Sequence, residues 1–143
     1  MTLTDSSQPE RALEKAPLFQ NLTREQLRMI GQVSTQIQEG AGKVLAQQGH
    51  RGVEFVLVLD GKASVERDGH TVATIGPGDF YGEVSLIDGG PRTATVTSQT
   101  PMDLLVVDPR GFRTLLDNMP GLQRQIMLNL CKRLRELYAS HTH

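Results

Sequence analysis

The sequence predicts a mainly β domain, an antiparallel jelly roll or barrel of the double-stranded β-helix kind, with an N-terminal helix before it and C-terminal helices after it. Three observations predict this. Between residues 36 and 107 apolar and polar residues alternate in short runs, the period of a half-buried strand. Turn chemistry rather than helix separates those runs, so successive strands must double back on one another. On both sides of this region the period lengthens to that of an amphipathic helix.

The 143 residues suffice to bury a core without metal or disulfide staples. They divide into a polar tail and leading helix over 1–16 and a single domain over 17–143, with the barrel at about 36–107 and the C-terminal helices at about 109–138. Fifteen basic and sixteen acidic residues give a formal charge of −1, which leaves no global footprint for nucleic acid. The single cysteine, Cys131, has no internal disulfide partner and fits a reducing compartment. The start from Met1 to Ser7 lacks the basic and apolar regions of a secretory signal, and the longest apolar run, Phe55 to Leu59, is too short for a bilayer. The expectation is a cytoplasmic protein with no membrane partner.

Taken in order, the first firm element follows Leu22. Thr23 and Gln26 have the spacing of a capping box, and Leu22 with Leu27 that of a hydrophobic staple. The helix they open should reach Gly31 or Ser34, with Leu27 and Ile30 facing the core. Strand-like runs then occupy Gln36 to Gln38, Lys43 to Gln47, Val53 to Leu59, Lys62 to Arg67, Thr71 to Ile75, Thr93 to Ser98 and Met102 to Val107. Asp60-Gly61 and Asp68-Gly69 read as two-residue hairpin turns, because both positions of the favoured turn need positive φ. Asp108 caps a helix with Pro109 in its first turn, where a missing N–H costs nothing, and Phe112, Leu115 and Leu116 give it an apolar face. Pro120 ends that helix or begins the next.

The last helix should run from Leu122 to about Tyr138. Leu122, Ile126, Leu130, Leu134 and Tyr138 recur every four residues, and Met127, Cys131 and Leu137 widen the stripe. The stripe is expected to pack on its own barrel, with pairing to a second copy or docking on a partner protein as the other uses, and Cys131 on it is expected to be a buried, inert thiol. Arg124, Lys132, Arg133 and Arg135 fall on the other face and read as solvated.

Between strands and helices lies the stretch with chemistry, Gly78 to Ser98. Gly82-Glu83-Val84-Ser85-Leu86 can form one or two helical turns, whose first N–H groups lack partners and favour an anion. Arg92 offers a permanently charged planar fork suited to phosphate. Glu83 would repel that phosphate, so it should turn aside and accept hydrogen bonds from neutral donors such as ribose hydroxyls. A Glu and an Arg flanking a loop are more often an ordinary surface ion pair. Here, however, glycines, acid, base and flanking strands follow in order over about sixteen residues, which is a joint pattern.

Tyr81-Gly82-Glu83-Val84-Ser85-Leu86, then five residues, then Arg92-Thr93-Ala94-Thr95-Val96, resembles the phosphate-binding cassette of cyclic nucleotide-binding domains of the catabolite-activator and protein-kinase regulatory-subunit type. Tyr81 stands where that pattern commonly has Phe, and Ser85 where it has Ala. Pro17-Leu18-Phe19 is similar to a lead-in common in the family. The resemblance implies a regulatory sensor module, not an enzyme, whose ligand is cAMP or cGMP. It places the ribose on Glu83 and the cyclic phosphate on Arg92 and the N–H groups of Gly82, Glu83, Val84 and Ser85. Thr93 after the arginine leaves cGMP open. The last helix becomes a lid or dimer helix that moves on binding, Tyr138 is read first as helix-end packing with stacking on the base as its other use, and Val65 and Ala73 could wall the pocket. The partners implied are the nucleotide, an effector protein and, through the last helix, a second copy. With the chain stopping at His143, no direct DNA contact is expected. The alternative is a scaffold or interaction domain with a vestigial pocket. No metal, cofactor or catalytic residue is expected: His50 and His70 lack metal-ligand spacing, His141 and His143 lack companions, and no serine sits in a nucleophile elbow.

Overall fold

The computed structural model describes residues 22–141. The tail and leading helix over 1–16, the Pro17-Leu18-Phe19 lead-in and His143 lie outside the described residues. The first described helix, α1 (Arg24–Val33), is closed at its start by the expected box. Thr23 Oγ1 accepts from the Gln26 N–H at 3.1 Å, and Gln26 Oε1 accepts from the Thr23 N–H at 3.0 Å. Leu27 and Ile30 are its buried residues.

Eight strands follow: β1 (Ser34–Glu39), β2 (Val44–Ala46), β3 (Phe55–Asp60), β4 (Ala63–Arg67), β5 (His70–Ile75), β6 (Phe80–Tyr81), β7 (Thr95–Ser98) and β8 (Met102–Val107). They form two four-stranded antiparallel sheets, β1-β8-β3-β6 and β2-β7-β4-β5. Seven of them are the runs read from the sequence, with ends that differ by at most two residues. The eighth, β6, has two residues, too short to show a period.

The two turn expectations divide. At Asp68-Gly69 both residues have positive φ, 54° and 81°, and Arg67 pairs with His70, a tight hairpin between β4 and β5. Asp60-Gly61 is not a hairpin turn. Asp60 still belongs to β3, Gly61 alone has positive φ (91°), and the chain crosses from one sheet to the other. The Asp-Gly pair fixes a bend locally but cannot choose the partner strand, and here β3 lies between β8 and β6.

Alternation along β3 and β8 sorts the core into two layers. Val56, Val58, Met102 and Leu104 join Ala46, Ala63 and Val96 in one cluster. Phe55, Leu57, Leu105 and Val107 join helix residues in the other. Those helices are α1, α3 (Pro109–Asn118) and α4 (Pro120–His141), with the short α2 (Glu83–Asp88) between β6 and β7. Phe55 is the hub, its ring 4.9 Å from that of Phe112 on α3 and 5.4 Å from that of Phe80. Asp108 caps α3 as expected, Oδ1 accepting from the Gly111 N–H at 2.7 Å.

Only the first part of α4 packs as the stripe predicted. Leu122 and Ile126 are buried and Leu130 is partly covered. Met127, Leu134 and Tyr138 are exposed, and so is Cys131, which corrects the expectation of a buried thiol. The reason is geometric. Each four-residue step overshoots a helical turn by about 40°, so a stripe with that repeat winds off the body after two or three steps.

Candidate functional site

The cassette is built from glycine geometry. Gly82, the N-cap of α2, has φ 99°, and Gly89, its C-cap, has φ 73°; both are left-handed conformations that a side chain would strain. Between them α2 carries Glu83, 1% exposed, and Ser85, 7% exposed, with Val84 half-buried. After Pro91 the chain returns along the 49–50 segment: the Gly49 N–H donates to the Arg92 carbonyl and the Arg92 N–H to the His50 carbonyl, each at 2.9 Å. That bridge turns the Arg92 side chain inward, and it is 9% exposed.

The guanidinium of Arg92 sits in a fitted setting. Nη2 donates to the main-chain carbonyl of Glu54 at 2.9 Å. The Tyr81 ring lies beneath, its centroid 5.9 Å from Cζ, within cation–π range. Burial pushes the Tyr81 phenol up to about 12, with Arg92 pulling the other way, so the ring stays a neutral π surface. A Cβ on Gly82 would stand 2.7 Å from Arg92 Nη1, which places the guanidinium against the start of α2, one residue before Glu83.

Glu83 differs from expectation in one respect. Its Oε1 accepts from a cation, Arg133 Nη1 on α4, at 2.9 Å. The Arg133 side chain is 41% exposed while that of Glu83 is 2% exposed. Arg133 is thus no merely solvated residue, and no local signal could have revealed it, since the partners lie fifty positions apart. The Glu54 carbonyl was missed for the same reason.

Two side-chain atoms among the described residues are buried without a partner, Glu83 Oε2 and Arg92 Nη1. A buried orphan costs about 1–3 kcal/mol and needs an explanation. Here one orphan is an acceptor on a carboxylate and the other a donor on a guanidinium, the complements of a hydroxyl and an anionic oxygen. Of the remaining residues singled out from sequence, Thr93 is exposed and its carbonyl accepts from Arg67 Nε at 3.2 Å. Tyr138 is exposed at 67%. Val65 packs beside the inner cluster and pairs in register with Ala73. A surface cavity of about 400 Å³ lies elsewhere, lined in part by Glu39, Asp60 and Asp103, carboxylates that would repel a phosphate. Among the described residues no group of His, Cys, Asp and Glu could hold a metal, and no helix is long and apolar enough to cross a membrane.

Comparison with known proteins agrees with this geometry. The family model described as the cyclic nucleotide-binding domain matches residues 38–119, more than half of the chain. The cAMP-dependent protein kinase regulatory subunit of Schizosaccharomyces pombe is 34% identical over 116 residues, covering 80% of this chain and 28% of that protein. The crystal structure of the Thermus thermophilus catabolite activator protein superposes with a TM-score of 0.78 at 29% identity, over 87% of this chain and 61% of that one. A cyclic nucleotide-binding domain from Methylobacillus flagellatus gives 0.71 at 26% identity, over 94% and 79%. The chain spans little more than a quarter of the kinase regulatory subunit that it matches.

Proposed function

We propose, from the premise that this chain belongs to the cyclic nucleotide-binding domain family, that it binds cAMP or cGMP between Glu83 and Arg92 and passes the event to its C-terminal helices. The observation that carries the reading is the pair of buried orphans. Glu83 Oε2 is free to accept from a ribose hydroxyl, and Arg92 Nη1 is free to donate to the cyclic phosphate. The N–H groups from Gly82 to Ser85 share the phosphate, and Thr93, next to Arg92, stands at the rim. The similar proteins include a kinase regulatory subunit, and no chemistry is assigned to the site: the nucleotide is a ligand, with no cofactor or metal. A cytoplasmic location goes with this reading, on the single cysteine.

The route to the helices is the Arg133–Glu83 ion pair. One carboxylate faces two ways, Oε1 to α4 and Oε2 to the sugar. Any displacement of Glu83 on binding therefore changes what α4 is attached to, and linkage requires the converse. Couplings of this kind are worth about 1–3 kcal/mol. The receiver of the signal is an effector protein or further chain.

Calorimetric titration with cAMP and with cGMP tests the reading. Micromolar binding that Arg92→Ala weakens supports it, and absence of heat at millimolar nucleotide sinks it. In that second case the other reading stands, a scaffold with a vestigial pocket. The observation favouring it is the exposed apolar side of α4, where Met127, Leu134 and Tyr138 are 63%, 48% and 67% exposed. That side would then join a second copy or a partner protein. Light scattering during the titration reports the homodimer directly.

A further inference from the structure

Gly52 has no assigned part in the site, and its own backbone does not require glycine, since it is absent from the glycines with positive φ. Its lack of a side chain is nevertheless used. A Cβ built there falls on Arg92 Nε, with Cζ at 2.6 Å and Cδ at 2.9 Å, and these three nearest atoms all belong to Arg92. Gly82 is a different case. There a Cβ would meet the Glu54 carbonyl, which is main chain, and φ is 99°.

We propose that Gly52 is a positioning residue for the ligand-binding arginine: its bare backbone is one wall of the slot in which the Arg92 guanidinium lies, with Tyr81 as floor and the Glu54 carbonyl as anchor. The inference rests on the nucleotide-binding reading above and names what makes its phosphate donor rigid. The three atoms nearest the new methyl are all side chain, so a methyl at position 52 is accommodated by swinging Arg92 out while the barrel keeps its shape. The Nη2 bond to Glu54 and the aim of the unpartnered Nη1 are then lost together. A guanidinium delivered in one orientation binds better than one that must be ordered at the moment of binding.

A double-mutant cycle separates positioning from mere structure. Gly52→Ala should raise the cAMP dissociation constant about tenfold, the scale of one charge-assisted hydrogen bond, with the thermal midpoint kept. In an Arg92→Ala background the same substitution should change affinity by less than about twofold, because the group it displaces is gone. An equal loss in both backgrounds overturns the proposal. So does no loss in the parent. A second measurement needs no nucleotide: the Arg92 Nε–H resonance in the nitrogen-resolved NMR spectrum should shift in Gly52→Ala while the barrel amides stay in place. An unmoved resonance also overturns the proposal. If the parent binds neither cAMP nor cGMP, the function proposed above fails while the resonance still decides the slot.

Discussion

Arg92 and Glu83 lie in one cassette, both are buried and each keeps one unpartnered atom, yet they are held by different kinds of structure. Arg92 is fixed by the barrel: its backbone is bonded to Gly49 and His50, its head to the Glu54 carbonyl, its face to Tyr81. Glu83 is fixed across a gap in sequence by Arg133, a half-exposed side chain on a helix whose later turns leave the body. The Arg92 side of the site is thus preformed, and the Glu83 side depends on where α4 sits. Affinity should reside mostly in the first and regulation in the second.

The comparison breaks most readily at its stronger end. Arg92→Ala should cost about 1.5–3 kcal/mol of cAMP binding, a loss of roughly 10- to 150-fold by calorimetry, with no change in the thermal midpoint beyond a few degrees. Glu83→Ala should cost less, about tenfold, and the loss should vanish with the 2′-deoxy nucleotide, which offers no hydroxyl to the carboxylate. Equal losses with both nucleotides would remove the sugar from Glu83. Arg133→Ala should lower affinity only a few-fold and unfolding stability by about 1 kcal/mol, since the pair is open to water on one side. Its larger signature is faster amide exchange along α4, and unchanged exchange would leave the route to the helices without support. Thr23→Ala, remote from both halves, should cost about 1 kcal/mol in denaturant unfolding and leave nucleotide affinity alone.

What the sequence revealed follows from distance along the chain. The Thr23–Gln26 box, the Asp108 cap and the Asp68-Gly69 hairpin each join residues no more than three positions apart, and all are present as read. The Asp60-Gly61 bend is also local, but sheet membership is not, and β3 crosses away from β4. At the site, Glu83 and Arg92 are legible because they stand nine positions apart in one cassette. Their partners are not: Arg133, the Glu54 carbonyl and the Gly52 slot come from elements that meet only after the sheets have formed. The exposure of Cys131 is not legible from a repeat of four, because that repeat drifts around a helix of 3.6 residues per turn.

The anchor of Arg92 belongs to the main chain. Every amino acid at position 54 brings the same carbonyl, so mutation there can alter charge or bulk but cannot delete the acceptor. The feature that steadies the guanidinium is in that sense immune to sequence drift. A scan by substitution would pass over position 54 in silence although the site leans on it. Only a change to the backbone itself, such as an ester in place of the amide that follows, would weaken that oxygen and make its contribution measurable.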